Sequence, residues 1–140
     1  MLNLIEPIVK KYGGEYHVAS GNFDVGAGEI VDFRIGVVTN YYYYIHKISG
    51  YVTESNVKVT FIDNDGMARW TWDNFPDFMI TTEVIPFLEK RYSGWVTFRY
   101  INSSANTASC SLMVTLIEIP ATKVNEFERD VMNLSNLIKG

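Results

Sequence analysis

The residues of this chain whose types could do chemistry are two histidines, one cysteine and several closely spaced carboxylates. A structural zinc site needs four clustered ligands. His17 and His46 are 29 residues apart, and neither has a second His, Cys or carboxylate at ligand spacing, so they read as strand histidines on half-buried faces. The same separation argues against a cupin-type metal site, which wants clustered histidines. A nucleophile must lie within hydrogen-bond reach of a base that a third group orients. Cys110 or Ser109 with His46 would be the pair, but no nucleophile elbow or papain-like signature surrounds them.

Asp63-Asn64-Asp65-Gly66 offers hard oxygen ligands of the kind calcium takes. An EF-hand loop starting at Asp63 would need Gly at its sixth place and Glu at its twelfth. Ala68 and Asn74 stand there, so the segment reads as a tight turn between strands. The carboxylate pairs Asp73 and Asp77, and Glu83 and Glu89, are of the type glycosidases use, but they read as solvated surface. Gly26-Ala27-Gly28-Glu29 has no following helix and no Lys-Ser or Lys-Thr, so it is a turn and not a phosphate loop. The expectation is therefore a protein that is not an enzyme, with no catalytic, cofactor or metal residues.

The composition points the same way. Twelve Lys plus Arg against 16 Asp plus Glu in 140 residues give a net charge of −4, which argues against nucleic acid and anionic membranes as partners. A single cysteine excludes a disulfide within the chain. Met1 to Tyr12 lack the basic start and apolar stretch of a secretory signal, and no run approaches 18 apolar residues. The expectation is a chain with no signal peptide. Asn102-Ser103-Ser104 and Asn133-Leu134-Ser135 then read as chance glycosylation sequons.

Three segments position these residues. Over 1–14, Leu2, Ile5, Ile8, Val9 and Tyr12 recur at helical steps; Asn3 and Glu6 stand as a capping box, and Gly13-Gly14 ends the helix. Over 121–140, Val124, Phe127, Val131, Leu134 and Leu137 or Ile138 form a second apolar stripe, with Thr122 as its cap. Between them, over 15–120, the period is two and turns interrupt it every 8 to 12 residues. Strands are expected near 15–20, 29–38, 42–53, 56–63, 68–73, 78–84, 93–102 and 108–119, with hairpins at 57–72 and at 95–116. The fold class is all-β, an eight-stranded antiparallel sandwich of the jelly-roll type with a helix at each end; an up-and-down barrel is the alternative.

Twenty aromatic residues then need employment. Tyr41-Tyr42-Tyr43-Tyr44 in a strand sends two rings to each sheet face, so one pair can leave the core. Tyr and Trp are enriched at interfaces. Tyr41, Tyr42, Tyr43, Tyr44, Trp70, Trp72 and Trp95 are accordingly the candidate interface residues, and the tryptophans are also candidate stacking platforms for a glycan. In 108–119 one strand face is Cys110, Leu112, Val114 and Leu116. The other carries Ser109, Ser111 and Thr115 with Met113 and Ile117, which suits water or a partner.

The pattern of Glu29 to Ile35, Tyr43 to Ser49, and the closing unit Val96 to Tyr100, Asn102-Ser103-Ser104 and Ala108 to Thr115 resembles the small single jelly-roll virion proteins of bacteriophages, such as pentons, decoration proteins, head fibres and head-to-tail adaptors. The resemblance covers about 30 to 120. It implies a virion location, no catalytic residues, and assembly with itself and with other virion proteins. A carbohydrate-binding or host-adhesion module is the alternative, with a glycan as partner.

Overall fold

In the computed structural model, residues 4–36, 38–73, 77–81 and 91–139 are described. The chain runs through α1 (Glu6–Lys11), β1 (Glu15–Val25), β2 (Ile30–Gly36), β3 (Tyr41–Val52), β4 (Val57–Ile62), β5 (Ala68–Trp72), β6 (Asp77–Thr81), β7 (Trp95–Asn102), β8 (Ala108–Pro120) and α2 (Val124–Lys139), with a short 3-10 turn, Ala121–Lys123, before α2. Seven strands are described in full where eight were expected, and Asp77–Thr81 is placed by its backbone pairing alone. Of the expected strand 78–84, residues 82–84 lie outside the described residues, as do Asn3, Phe75, Glu83 and Glu89.

Alternating burial along the strands divides the side chains between a common interior and two outer faces. One sheet has the order β1-β8-β3, with β6 pairing along the far side of β3; the other has the order β2-β7-β4-β5. All pairings are antiparallel. An up-and-down barrel pairs each strand with the next, whereas among the described residues β4 and β5 alone are consecutive partners, so the barrel alternative is discarded. The expected hairpin at 95–116 is also corrected: β7 pairs with β2 and β4, while β8 pairs with β1 and β3, so the loop from Ser103 to Thr107 crosses between sheets.

The interior is filled by Ile45, Ile48 and Val52 of β3, Val59 and Phe61 of β4, Phe98 and Tyr100 of β7, and Leu112, Val114 and Leu116 of β8. Gly21 sits where Phe33 packs against β1; a Cβ there would lie 2.5 Å from the Phe33 ring, so a side chain would hold the two sheets apart at this corner. The Tyr100 ring is fully buried, edge-on to Phe23 at 4.8 Å, but its hydroxyl has no hydrogen-bond partner among the described residues. A buried unpaired hydroxyl is a net cost, so Tyr100→Phe is expected to raise stability by about 1 kcal/mol. Urea unfolding would check this, and a loss of stability would show that the hydroxyl is engaged.

The terminal helices lie on the outer face of the β1-β8-β3 sheet. There Ile5 and Val9 of α1 and Val124, Phe127 and Val131 of α2 bury Tyr44, Ile117 and Ile119 in a second core. The helices are tied together by Asp130, which accepts hydrogen bonds from the Tyr12 hydroxyl and from Lys11 Nζ at 3.0 Å. The caps differ from expectation. Ile5 is the N-cap of α1 and makes no side-chain cap bond, while Asn3 of the expected capping box lies outside the described residues. Thr122 lies inside the 3-10 turn and does not cap α2. Of the two alternative last positions of the stripe, Leu137 points to solvent, 80% exposed, and the Ile138 side chain lies outside the described residues.

Candidate interaction face

The predicted chemical groups are not brought together. Cys110 lies on the interior face of β8, and His46 lies at a bulge in β3 beside Leu116, roughly 17 Å along the strand and off that face. His46 is buried against Tyr16, ring centroids 5.7 Å apart, and burial followed by the nearby Lys47 charge lowers its pKa. Burial pushes the Cys110 thiol up to about 11, the opposite of what a nucleophile needs. His17 is half-exposed, with Nδ1 4.0 Å from Glu118. Gly26 to Glu29 is the expected turn: Glu29 N–H donates to the Gly26 carbonyl, and Gly28 takes φ +74°.

Asp63 organises the β4–β5 turn. Its carboxylate is buried and accepts from the backbone amides of Asp65 (2.9 Å) and Met67 (3.0 Å) and from Arg69 Nε (2.6 Å). Among the described residues no group of three or more His, Cys, Asp or Glu could hold a metal. Burial pushes this carboxyl up, but the Arg69 guanidinium and the two amides outweigh it and hold the pKa below the usual carboxylate range. With the folded pKa depressed below an unfolded value of about 3.9, the contribution is fully present above that pH and disappears as pH falls through the folded value. Thermal midpoints below pH 4 are therefore expected to fall more steeply for the wild type than for Asp63→Asn. Parallel curves would contradict the assignment.

The seven candidate interface aromatics separate. Tyr43 and Tyr44 are corrected outright, because both are buried: Tyr43 faces the sandwich interior, and Tyr44 faces α2, its ring 5.2 Å from Phe127 and its hydroxyl donating to Glu128. Tyr41 and Tyr42 are half-buried, and Arg91 lies 5.2 Å from the Tyr42 ring centre. Trp70 and Trp72 share one face, as expected, but their register opposite Phe61 and Val59 turns that face to the interior; Trp70 stacks on Phe61 at 5.0 Å. Trp95 alone of the seven is largely exposed, at 63%.

A more extended open surface lies on the β1-β8-β3 sheet. The strand registers put Tyr16, Ile117 and Tyr44 in one row across the outer face, and this row is covered by the helices. The next three rows are not: Val18-Thr115-Lys47, Ser20-Met113-Ser49 and Asn22-Ser111-Tyr51. Val18, Met113 and Tyr51 are each about half-exposed, with hydroxyl and amide side chains between them. Among the described side chains of this grid and its border, charge stands at Lys47, in the row nearest the helices, and at Asp24, beyond Asn22, and the register sets Asp77 of β6 opposite Tyr51. Two adjoining depressions of about 590 and 370 Å³ open onto it, lined by Ser20, Asn22, Ser49, Tyr51 and Ser111, without a convergent set of charged groups. Such a surface can bury apolar area against a flat partner with its small hydroxyls at the contact, and it offers little for a reaction. The sequence signal was the semi-polar face of residues 109 to 117; Val18 and Tyr51 become part of it only through register.

No family model matches the chain, and no curated protein matches it. Among solved structures, the chain is similar to a subunit of the disulfide-linked pili of Bacillus endospore appendages, with 11% identity, TM-score 0.46, and coverage of 76% of this chain and 88% of that one. It is also similar to the CBM36-1 domain of a multidomain xylanase from the hindgut metagenome of Trinervitermes trinervoides, with 11% identity, TM-score 0.35, and coverage of 74% and 96%. A third likeness is to infectious bursal disease virus VP2, with 14% identity, TM-score 0.31, and coverage of 77% of this chain and 33% of that one. At these scores the likenesses carry no argument about function.

Proposed function

We propose that this chain is a non-enzymatic virion structural protein, a single jelly roll of the bacteriophage vertex, decoration or head-to-tail type, that assembles with itself and with other virion proteins. The strand order β1-β8-β3-β6 over β2-β7-β4-β5 supports the jelly-roll reading, since β1 to β4 alternate between the sheets and the later strands return beside them, β8 between β1 and β3 and β7 between β2 and β4. The observation that carries the assembly reading is the open grid centred on Met113: its middle row Ser20-Met113-Ser49 is uncharged, Val18, Tyr51 and Met113 are half-exposed, and Lys47 and Asp24 stand toward either end, as polar groups do around an interface centre. The grid spans roughly 13 Å along the strands and roughly 10 Å across them. A stable interface needs about 800 Å² per partner, so the surrounding loops take part as well.

Sedimentation velocity over a wide concentration range tests the reading. A discrete ring or other closed oligomer is expected. A chain that stays monomeric at the highest concentrations and binds no co-expressed virion protein would overturn it.

A further inference from the structure

The opposite outer face, on the β2-β7 side, carries a different kind of site. Trp95 is 63% exposed, and the benzo part of its indole lies over Gly36, its register partner: a Cβ on Gly36 would fall 2.9 Å from Cζ3 and 3.0 Å from Cη2. The glycine thus lets the ring lie down on the strand with its other side turned to solvent. One step along the same face stands Arg34, opposite Thr97, at the diagonal separation of about 7–8 Å that neighbouring side chains on a sheet share. Arg34 is exposed and has no hydrogen bond or ion pair among the described residues. Asp32, the carboxylate beside it, is engaged on both oxygens by Arg99 at 2.9 and 3.0 Å.

A flat aromatic face with a guanidinium one side chain away suits a particular chemistry. The C–H face of a pyranose stacks on an indole, and a carboxylate on that ring reaches a bidentate donor a few ångströms from the stack. A nucleic acid strand would need a series of cations along its backbone, and this chain carries a net charge of −4. We propose that Trp95, Arg34 and Thr97 form a binding site for an acidic sugar residue, with the Trp95 indole under the pyranose ring and the Arg34 guanidinium on its carboxylate. The site is independent of the assembly reading, because it lies on the other sheet.

Titration of the full chain with hexagalacturonate and with 3′-sialyllactose, followed by tryptophan fluorescence and calorimetry, tests this. At least one is expected to bind, and Trp95→Ala is expected to abolish that binding. Arg34→Gln should weaken it about tenfold, a loss that carboxylate methyl-esterification of the same sugar should reproduce on the wild type. Gly36→Ala, which keeps both side chains but displaces the indole, should weaken it as well. Thermal midpoints near the wild-type value would show each variant folded. Binding of neither probe at up to about 10 mM would overturn the proposal, as would undiminished binding by Trp95→Ala or equal binding of the methyl ester.

Discussion

Asn102→Ala is expected to destabilise the protein by about 3 kcal/mol, because it removes three hydrogen bonds from a buried side chain at about 1 kcal/mol each. Asn102 is 1% exposed. Its Nδ2 donates to the carbonyls of Val25 (2.9 Å) and Asn106 (2.8 Å), and its Oδ1 accepts from the Ser104 amide (2.8 Å). Its own backbone closes the turn after β1, with its amide donating to Glu29 and its carbonyl accepting from Gly28. One residue thereby fixes the end of β1, the start of β2 and the loop that carries the chain from β7 to the other sheet. Urea unfolding at neutral pH measures the effect, and a loss below about 1 kcal/mol would contradict this role. The same burial makes the Asn102 sequon inaccessible in the folded chain.

Asn102 also marks where sequence reading stopped. It stood in a loop of small polar residues, and nothing local connects it with a carbonyl 77 residues earlier. Strand alternation was legible because each strand buries one face: Cys110, Leu112, Val114 and Leu116 are interior, and the 57–72 hairpin turns at Asp63 to Gly66. Alternation says which face is buried and not which sheet a strand joins, so a short loop read as a hairpin between β7 and β8 proved to be a crossing. The Tyr41 to Tyr44 run was divided correctly between two faces. Tyr44, one of its outward members, is nevertheless buried, because the cover over it, namely Phe127, comes from a helix far along the chain. The interaction face was half legible: the Ser-Met-Thr pattern of β8 showed it, whereas its breadth depends on registers that bring β1 and β3 alongside.

Met113→Arg is expected to raise the dissociation constant of the assembly about 100-fold or more while leaving the fold intact. Met113 is on β8, between Ser20 and Ser49 in the middle row of the open grid, and is 48% exposed. An arginine there has room in the isolated chain, so stability should change by no more than about 0.5 kcal/mol. In an interface centre the same guanidinium would be buried without a counter-charge, a loss of about 3 kcal/mol or more. Lys58→Glu, on the other sheet, is the control and should leave association unchanged. An arginine variant that assembles like the wild type would remove the grid from the interface.

Three methionines of comparable exposure sample three separate surfaces: Met67 on the β4–β5 turn at 57%, Met113 on the open grid at 48%, and Met132 on α2 at 50%. Each is open to oxidation in the isolated chain. Brief peroxide treatment of the assembled and the dissociated protein, with the sulfoxide at each methionine quantified by mass spectrometry, tests the central claim most directly. The expected result is strong protection of Met113 on assembly, with Met67 oxidised at its dissociated rate. Unchanged Met113 oxidation in an assembly that protects Met67 or Met132 would contradict it.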